Sequence, residues 1–183
     1  TIVVITPGGA VEVSTWKSRY HSPLPGLTGI EADLFWRDFT INAMAMDENG
    51  AIFDPFGGLQ DLKGRIIASP AHQAAQRFRH DPLRMVRAIR LGCTLDFTLQ
   101  PRVTDAIVDE APLLSRVAVE RIRGELDHIL LSERPAQEIR ALATTGLLAY
   151  ILPELMPLLD FDQKSPRHDR DGFEHTMAVL AAC

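Results

Sequence analysis

The sequence predicts an α+β protein, with a mixed α and β part over residues 1–65 and helices from there onward. The chain opens on a β-branched apolar run, Thr1 to Thr6. Pro7-Gly8-Gly9 and the partly alternating Ala10 to Thr15 follow, a pattern that reads as a hairpin. From about Ala71 the apolar residues recur at helical spacing and no further strand signal is present. With 183 residues, 46% hydrophobic and 23% charged, the composition excludes a disordered or fibrous chain and is sufficient for a core.

The elements follow in order. A loop containing Pro and Gly, Ser22 to Gly29, leads to a helix beginning near Glu31. Asp47-Glu48-Asn49-Gly50 then turns the chain into a short strand, Ala51 to Phe53. Asp81 before Pro82 is a helix start, an acceptor at the N-cap followed by proline at the first helical position. Leu83, Val86 and Ile89 come next at spacings of three. Over Val119 to Leu131, Ile122, Leu126, Ile129 and Leu130 share one apolar face, with Glu120, Arg123 and Asp127 off it. A further helix runs from about Ala136 to Leu148, with Gly146 and Pro153 marking its end.

No apolar run approaches the ~20 residues of a membrane helix, and the first residues lack the order of a secretion signal, so a cytoplasmic protein is expected. Cys93 and Cys183 stand far apart in no metal-like spacing and read as unpaired thiols. The net charge of −5 argues against a chain that coats nucleic acid everywhere. Its basic residues are nonetheless clustered: Arg77, Arg79, Arg84, Arg87 and Arg90, with His80, face a single acid, Asp81. Arg77, Arg79 and Arg90 are therefore candidate RNA or phosphate contacts.

Three strings carry chemistry. Trp36-Arg37-Asp38-Phe39-Thr40-Ile41-Asn42-Ala43 concentrates a cation, a carboxylate, a hydroxyl and an amide. It suits either a nucleotide's phosphate and sugar or a capped helix end with an ion-paired arginine. Asp54-Pro55-Phe56-Gly57-Gly58 joins a rigid turn to two glycines, which allow positive φ or close backbone approach, and fits either a hinge or an ordinary turn. In His80-Asp81-Pro82-Leu83-Arg84-Met85-Val86-Arg87, Asp81 and Arg84 are one helical turn apart. A carboxylate and a guanidinium so placed can satisfy the Watson–Crick edge of a base, or can simply form a surface ion pair.

Taken together and in this order, the strings resemble the motifs of class II tRNA nucleotidyltransferases and bacterial poly(A) polymerases. The family's Arg-Arg-Asp-Phe-Thr-Ile-Asn-Ala corresponds to Trp36–Ala43, its Asp-Pro-Phe-Gly-Gly connector to Asp54–Gly58, and its Glu-Asp-Pro-x-Arg-Met-x-Arg-Ala helix to His80–Ala88. Glu120-Arg121-Ile122 with Glu125-Leu126 resembles the family's neck helix, and the likeness runs from about Gly9 to His175. It implies the C-terminal part of a nucleotidyltransferase head over residues 1–65, a helical neck over 66–158 and the start of an HD-type helical domain over 159–183. It also implies a longer enzyme that extends an RNA 3′ end, chiefly by adding CCA to tRNA with CTP, ATP and Mg²⁺, or by polyadenylation. Arg37, Asp38 and Thr40 would then serve sugar and phosphate, and Asp81 and Arg84 would read the base. Arg87 would support them, and Glu12 would stand near the metals.

The resemblance is incomplete. Trp36 replaces the first motif arginine and His80 the glutamate before Asp81. The family's phosphate turn and its Asp-x-Asp metal pair should lie N-terminal to Thr1 and are absent from the chain, which is therefore expected not to transfer nucleotides by itself and to hold no metal. His168, Asp171 and His175 are metal-ligand types in the tail but make only part of an HD-type set. Two other classes stay open: a non-catalytic RNA-binding helical module, suggested by the arginines, and a metal phosphohydrolase, suggested by the tail.

Overall fold

The computed structural model describes residues 2–6, 9–13, 27, 29–159, 161 and 172–182, with residues 2–6 and 10–13 described as backbone. It has the α+β character expected. Strands β1 (Ile2–Thr6) and β2 (Gly9–Val13) form the antiparallel hairpin, with Val3 opposite Glu12. The side chain of Glu12 lies outside the described residues, as do His168 and Asp171.

Helix α1 (Gly29–Phe35) leads into the motif Trp36–Ala43, which ends in a single 3-10 turn, Thr40–Asn42. Strands β3 (Ala45–Met46) and β4 (Ile52–Phe53) then pair antiparallel around the Asp47–Gly50 turn, where Asp47 Oδ1 accepts the Asn49 and Ala51 amides.

The Asp-Pro-Phe-Gly-Gly string starts helix α2 (Gly58–Gly64), and each part has a definite use. The Asp54 carboxylate accepts the Gly58 amide at 2.7 Å and the Leu59 amide at 2.9 Å, satisfying orphan donors of the helix start. Gly57 takes φ +76°, and Gly58 lies so close to the Thr40 turn that a Cβ would overlap the Thr40 carbonyl and sit 2.9 Å from Met44 Cγ. Gly58→Ala should push α2 away from the turn and cost about 3 kcal/mol in urea unfolding. A loss below about 1 kcal/mol would show that the contact yields easily.

Strand β5 (Ile66–Ile67) pairs in parallel with β6 (Thr98–Leu99), a strand that the sequence pattern does not reveal. Two residues are too few to display alternation, and the pairing depends on a partner far away in the chain. Gly92 makes room for it, since a Cβ there would press 2.6 Å from Leu99 Cδ1.

The helices α3 (Ala74–His80), α4 (Leu83–Leu95), α5 (Pro101–Glu110), α6 (Val119–Leu130), α7 (Pro135–Thr144), α8 (Leu148–Ile151) and α9 (Gly172–Leu180) build the rest. Helix α7 stops earlier than its periodicity suggests, because Gly146 takes φ +77° and turns the chain into the separate helix α8. Helix α4 is the hub. It touches α3, α6, α7 and both strands of the parallel pair, and Leu83, Val86 and Ile89 are buried as their spacing requires. One continuous core runs from Phe39 and Ile67 through these helices to Phe173 and Met177 on α9. Arg140 on α7 holds Glu174 on α9 through hydrogen bonds of 2.8 to 3.1 Å. On α6, Leu130 points outward, 43% exposed, while Glu125 occupies the inner face.

Candidate functional site

The polar face of α4 is a stripe repeating every three residues: Asp81 just before it, then Arg84, Arg87 and Arg90. Each member is held from behind. Asp81 has the extended backbone of an N-cap, φ −142° and ψ 95°, and Pro82 is helical, as the sequence predicts. Its carboxylate, however, does not cap the helix. Both oxygens accept Nη2 of Arg121 on α6, each at 3.1 Å. A guanidinium outcompetes a backbone amide for a carboxylate, since both partners carry charge.

Arg84 donates through Nη2 to the Trp36 carbonyl at 2.9 Å. The expected Asp81–Arg84 juxtaposition is therefore two neighbouring side chains, each aligned by its own support. Arg87 reaches Glu125 Oε1 through Nε at 3.2 Å and Nη2 at 3.1 Å, and Asp38 Oδ2 through Nη1 at 3.5 Å. Burial works against its charge, but Glu125 and Asp38 more than offset this and raise its pKa above the ordinary arginine value. Arg90 Nε donates to Glu125 Oε2 at 2.9 Å. Glu125 thus joins two arginines of the stripe from α6, the helix that also supplies Arg121.

The head motif contributes Asp38 directly, its other oxygen accepting the Phe39 amide at 2.9 Å and Asn42 Nδ2 at 3.1 Å. Arg37 is exposed and pairs with Asp33 at 3.1 Å across one turn, on the surface. Thr40 has a different position from the one expected of a sugar or phosphate contact. It is 3% exposed and its hydroxyl donates to Asp61 Oδ2 at 2.6 Å, tying the motif to α2. In this arrangement Thr40 supports the site from inside the fold.

Arg77 also differs from its expected role. It is 1% exposed, and its guanidinium donates to the carbonyls of Phe35, Arg37 (3.0 Å) and Gln73 (3.3 Å), with its cation 4.6 Å from the centre of the Phe35 ring. Burial, reinforced by the nearby Arg84 cation, lowers its pKa to about 10. Phosphate cannot reach it there. Arg77 and Arg84 instead satisfy the last carbonyls of the α1 segment, which its own helix leaves without donors. Arg79 is on the surface, bonded to Glu110 at 2.5 Å.

The pattern of motifs did not assign roles to Arg121 and Glu125, although a signal for Glu125 exists. It lies three residues after Ile122 and four before Ile129, which places a carboxylate on a buried face. Such a residue needs cationic partners to remain ionised. Among the described residues no three His, Cys, Asp or Glu side chains come together as a metal site, and His175 is exposed on α9. Cys93 is buried, and burial pushes its thiol up to about 11, the behaviour of a packing residue.

A second buried acid lies elsewhere, where α4 meets α7. Glu138 is 0% exposed. Burial, the largest influence, raises its pKa, with Ser132, Arg90 and Thr94 pulling the other way. The folded chain then binds this proton more tightly than the unfolded chain. Stability from Glu138 is complete below the unfolded pKa and is lost as pH rises through the folded one. Glu138→Gln should accordingly raise Tm at about pH 8 and have a smaller effect at about pH 4. Equal shifts at both pH values would contradict this.

Comparison with known proteins supplies the context for this stripe. Residues 4–68 match the family model described as the poly A polymerase head domain, and residues 96–159 match the probable RNA and SrmB-binding site of polymerase A; together these cover more than half of the chain. The chain belongs to the nucleotidyltransferase family of CCA-adding enzymes and poly(A) polymerases. Its relatives include the CCA-adding enzymes of Geobacillus stearothermophilus, 44% identical over 82% of this chain, and Streptococcus gordonii, 39% identical over 85%. The chain spans about two fifths of the length of these relatives, 39% of the first and 40% of the second. The crystal structure of the Bacillus stearothermophilus CCA-adding enzyme in complex with CTP superposes with a TM-score of 0.77 at 40% identity, over 98% of this chain and 41% of that one. A CCA-adding enzyme complex with ATP gives 0.64 at 33% identity, over 69% of this chain and 31% of that one.

Proposed function

We propose that the chain is the nucleotide-selecting and RNA-binding part of a cytoplasmic enzyme that adds CCA to tRNA 3′ ends from CTP and ATP. The observation that carries this reading is the stripe Asp81, Arg84, Arg87 and Arg90, held rigidly between the head motif and α6. On this reading residues 1–65 belong to the nucleotidyltransferase head, 66–158 form the neck, and 159–183 begin an HD-type domain. No described helix is long and apolar enough to cross a membrane.

The selection follows from hydrogen-bond polarity. Cytosine and adenine each present an exocyclic amine beside a ring-nitrogen acceptor. A carboxylate at Asp81 accepts from the amine and the Arg84 guanidinium donates to the ring nitrogen. Uracil and guanine present the reverse order, so each would leave both protein groups facing a like partner, a strong basis for rejection. Arg87 ties the stripe to Asp38 of the head motif, and the exposed Arg37 beside it serves sugar or phosphate on this reading. Mg²⁺ belongs to the proposal for the whole enzyme. Among the described residues no cluster of His, Cys, Asp or Glu forms a site for it.

The description of the matched head domain favours a second reading within the same family, poly(A) polymerase. Both are tested by incubating the complete enzyme with tRNA that lacks its terminal nucleotides and each nucleoside triphosphate separately and together. CCA addition predicts CMP incorporation followed by a single AMP. Long AMP tails without CMP would establish the polymerase, and no incorporation would leave an RNA-binding module.

A further inference from the structure

Trp36 and His80 are the two positions at which the chain departs from the motifs it resembles, one in the head string and one before the α4 helix. In the structure they meet. Their ring centroids are 5.9 Å apart with the planes tilted by 48°. The arginine and glutamate of the motif pattern, placed at the same positions, would bring opposite charges together.

Trp36 is joined to both halves of the base-reading pair. Its carbonyl accepts Arg84 Nη2 at 2.9 Å, and its ring rests on His80, the residue that precedes Asp81. His80 ends α3 and is followed directly by Asp81, whose backbone is extended, so the ring contact with Trp36 lies one residue from the Asp81 carboxylate. Behind Trp36, Phe35 meets its ring edge-on at 5.3 Å, and Phe35 in turn carries the Arg77 guanidinium over its face. The contact is the outer end of a seam between head and neck whose inner end is buried.

We infer that Trp36 and His80 form one exchangeable contact that positions Asp81 and Arg84 for the base, an aromatic pair standing where an ion pair would serve. The inference rests on the nucleotide-selecting reading of the stripe and deepens it. Both residues act through Asp81 and Arg84 as positioning residues. An aromatic contact is little affected by salt, whereas an exposed ion pair weakens as salt rises.

The test is a double-mutant cycle in the complete enzyme, with Trp36→Arg, His80→Glu and the two combined. Trp36→Arg adds a cation beside Arg84, and His80→Glu adds a carboxylate beside Asp81. Either alone should lower the kcat/KM preference for CTP over UTP by about tenfold. The double variant should return to within about threefold of wild type at low salt, then lose the preference as salt rises. His80→Phe, which keeps a ring, should retain the wild-type ratio. Unchanged ratios in the single variants, or a double variant no better than the worse single one, would overturn the inference. Urea unfolding of the same proteins separates it from the functional reading. If the wild type shows no preference among nucleotides, the functional reading falls. The pairing is then decided by the unfolding free energies, which must be non-additive for it to stand.

Discussion

Arg77→Ala should be among the most destabilising substitutions in the chain, with a loss of about 3 to 4 kcal/mol in urea unfolding. Two effects add. The substitution empties the volume of a long side chain that is 1% exposed, and it removes the guanidinium donors of the Phe35 and Arg37 carbonyls at the end of the α1 segment, while the Gln73 carbonyl keeps the residue-77 backbone amide at 3.2 Å. A buried carbonyl without a donor costs about 1 to 3 kcal/mol, although water entering the vacated space would recover part of that. Arg77→Lys is the informative companion. Lysine keeps the charge and most of the volume, but it lacks the planar fork that reaches Phe35, Arg37 and Gln73 together. It should lose about half as much, roughly 2 kcal/mol. If Arg77→Ala costs less than about 1 kcal/mol, the seam between head and neck is not held by this residue.

Glu125→Ala should produce the largest effect within the stripe itself. The carboxylate is 9% exposed as a side chain and partners Arg87 and Arg90, which are 33% and 22% exposed. Its removal leaves two cations facing each other, with Asp38 3.5 Å from Arg87 and the buried Glu138 within electrostatic reach of Arg90. Fully buried pairs cost about 3 to 5 kcal/mol when broken, but the two arginines retain access to water, so about 2 kcal/mol is expected. Nucleotide binding should weaken as well, since Arg87 would lose its principal anchor. Measured with Arg90→Ala in a double-mutant cycle, the effects should be clearly non-additive. Additive losses would mean that Glu125 and Arg90 merely stand close together.

The contrast between these residues and the motif residues explains what could be read in the sequence. Leu83, Val86 and Ile89 declared their helix through spacing, and Gly57 and Gly58 declared a connector that needs one positive φ and one close approach, because these demands are local. The motif strings likewise identified the stripe. Partner choice was not local. Asp81 could bond its own helix start or a guanidinium from α6, and only the fold places Arg121 within 3.1 Å. Thr40 and Arg77 sit among functional strings, yet their polar atoms are used by Asp61 and by the α1 carbonyls. Polarity in a motif therefore does not separate ligand contacts from the framework that aims them. Strand β6 was missed for the same reason: a two-residue parallel pairing exists only through its distant partner.

Arg84→Ala in the complete enzyme tests most directly whether Asp81 and Arg84 act as a protein template for the base. The quantity to measure is the set of kcat/KM values for CTP, ATP, UTP and GTP in wild type and variant, with a thermal melt of each. Arg84 also supports the Trp36 carbonyl, so a modest stability loss of about 1 kcal/mol is expected in any case. A base-reading role predicts in addition that discrimination for CTP and ATP over UTP and GTP falls by about 1 to 3 kcal/mol, roughly ten- to a hundredfold. Ratios unchanged among the four nucleotides, alongside the same stability loss, would contradict the template role and leave Arg84 as a structural support for the α1 segment.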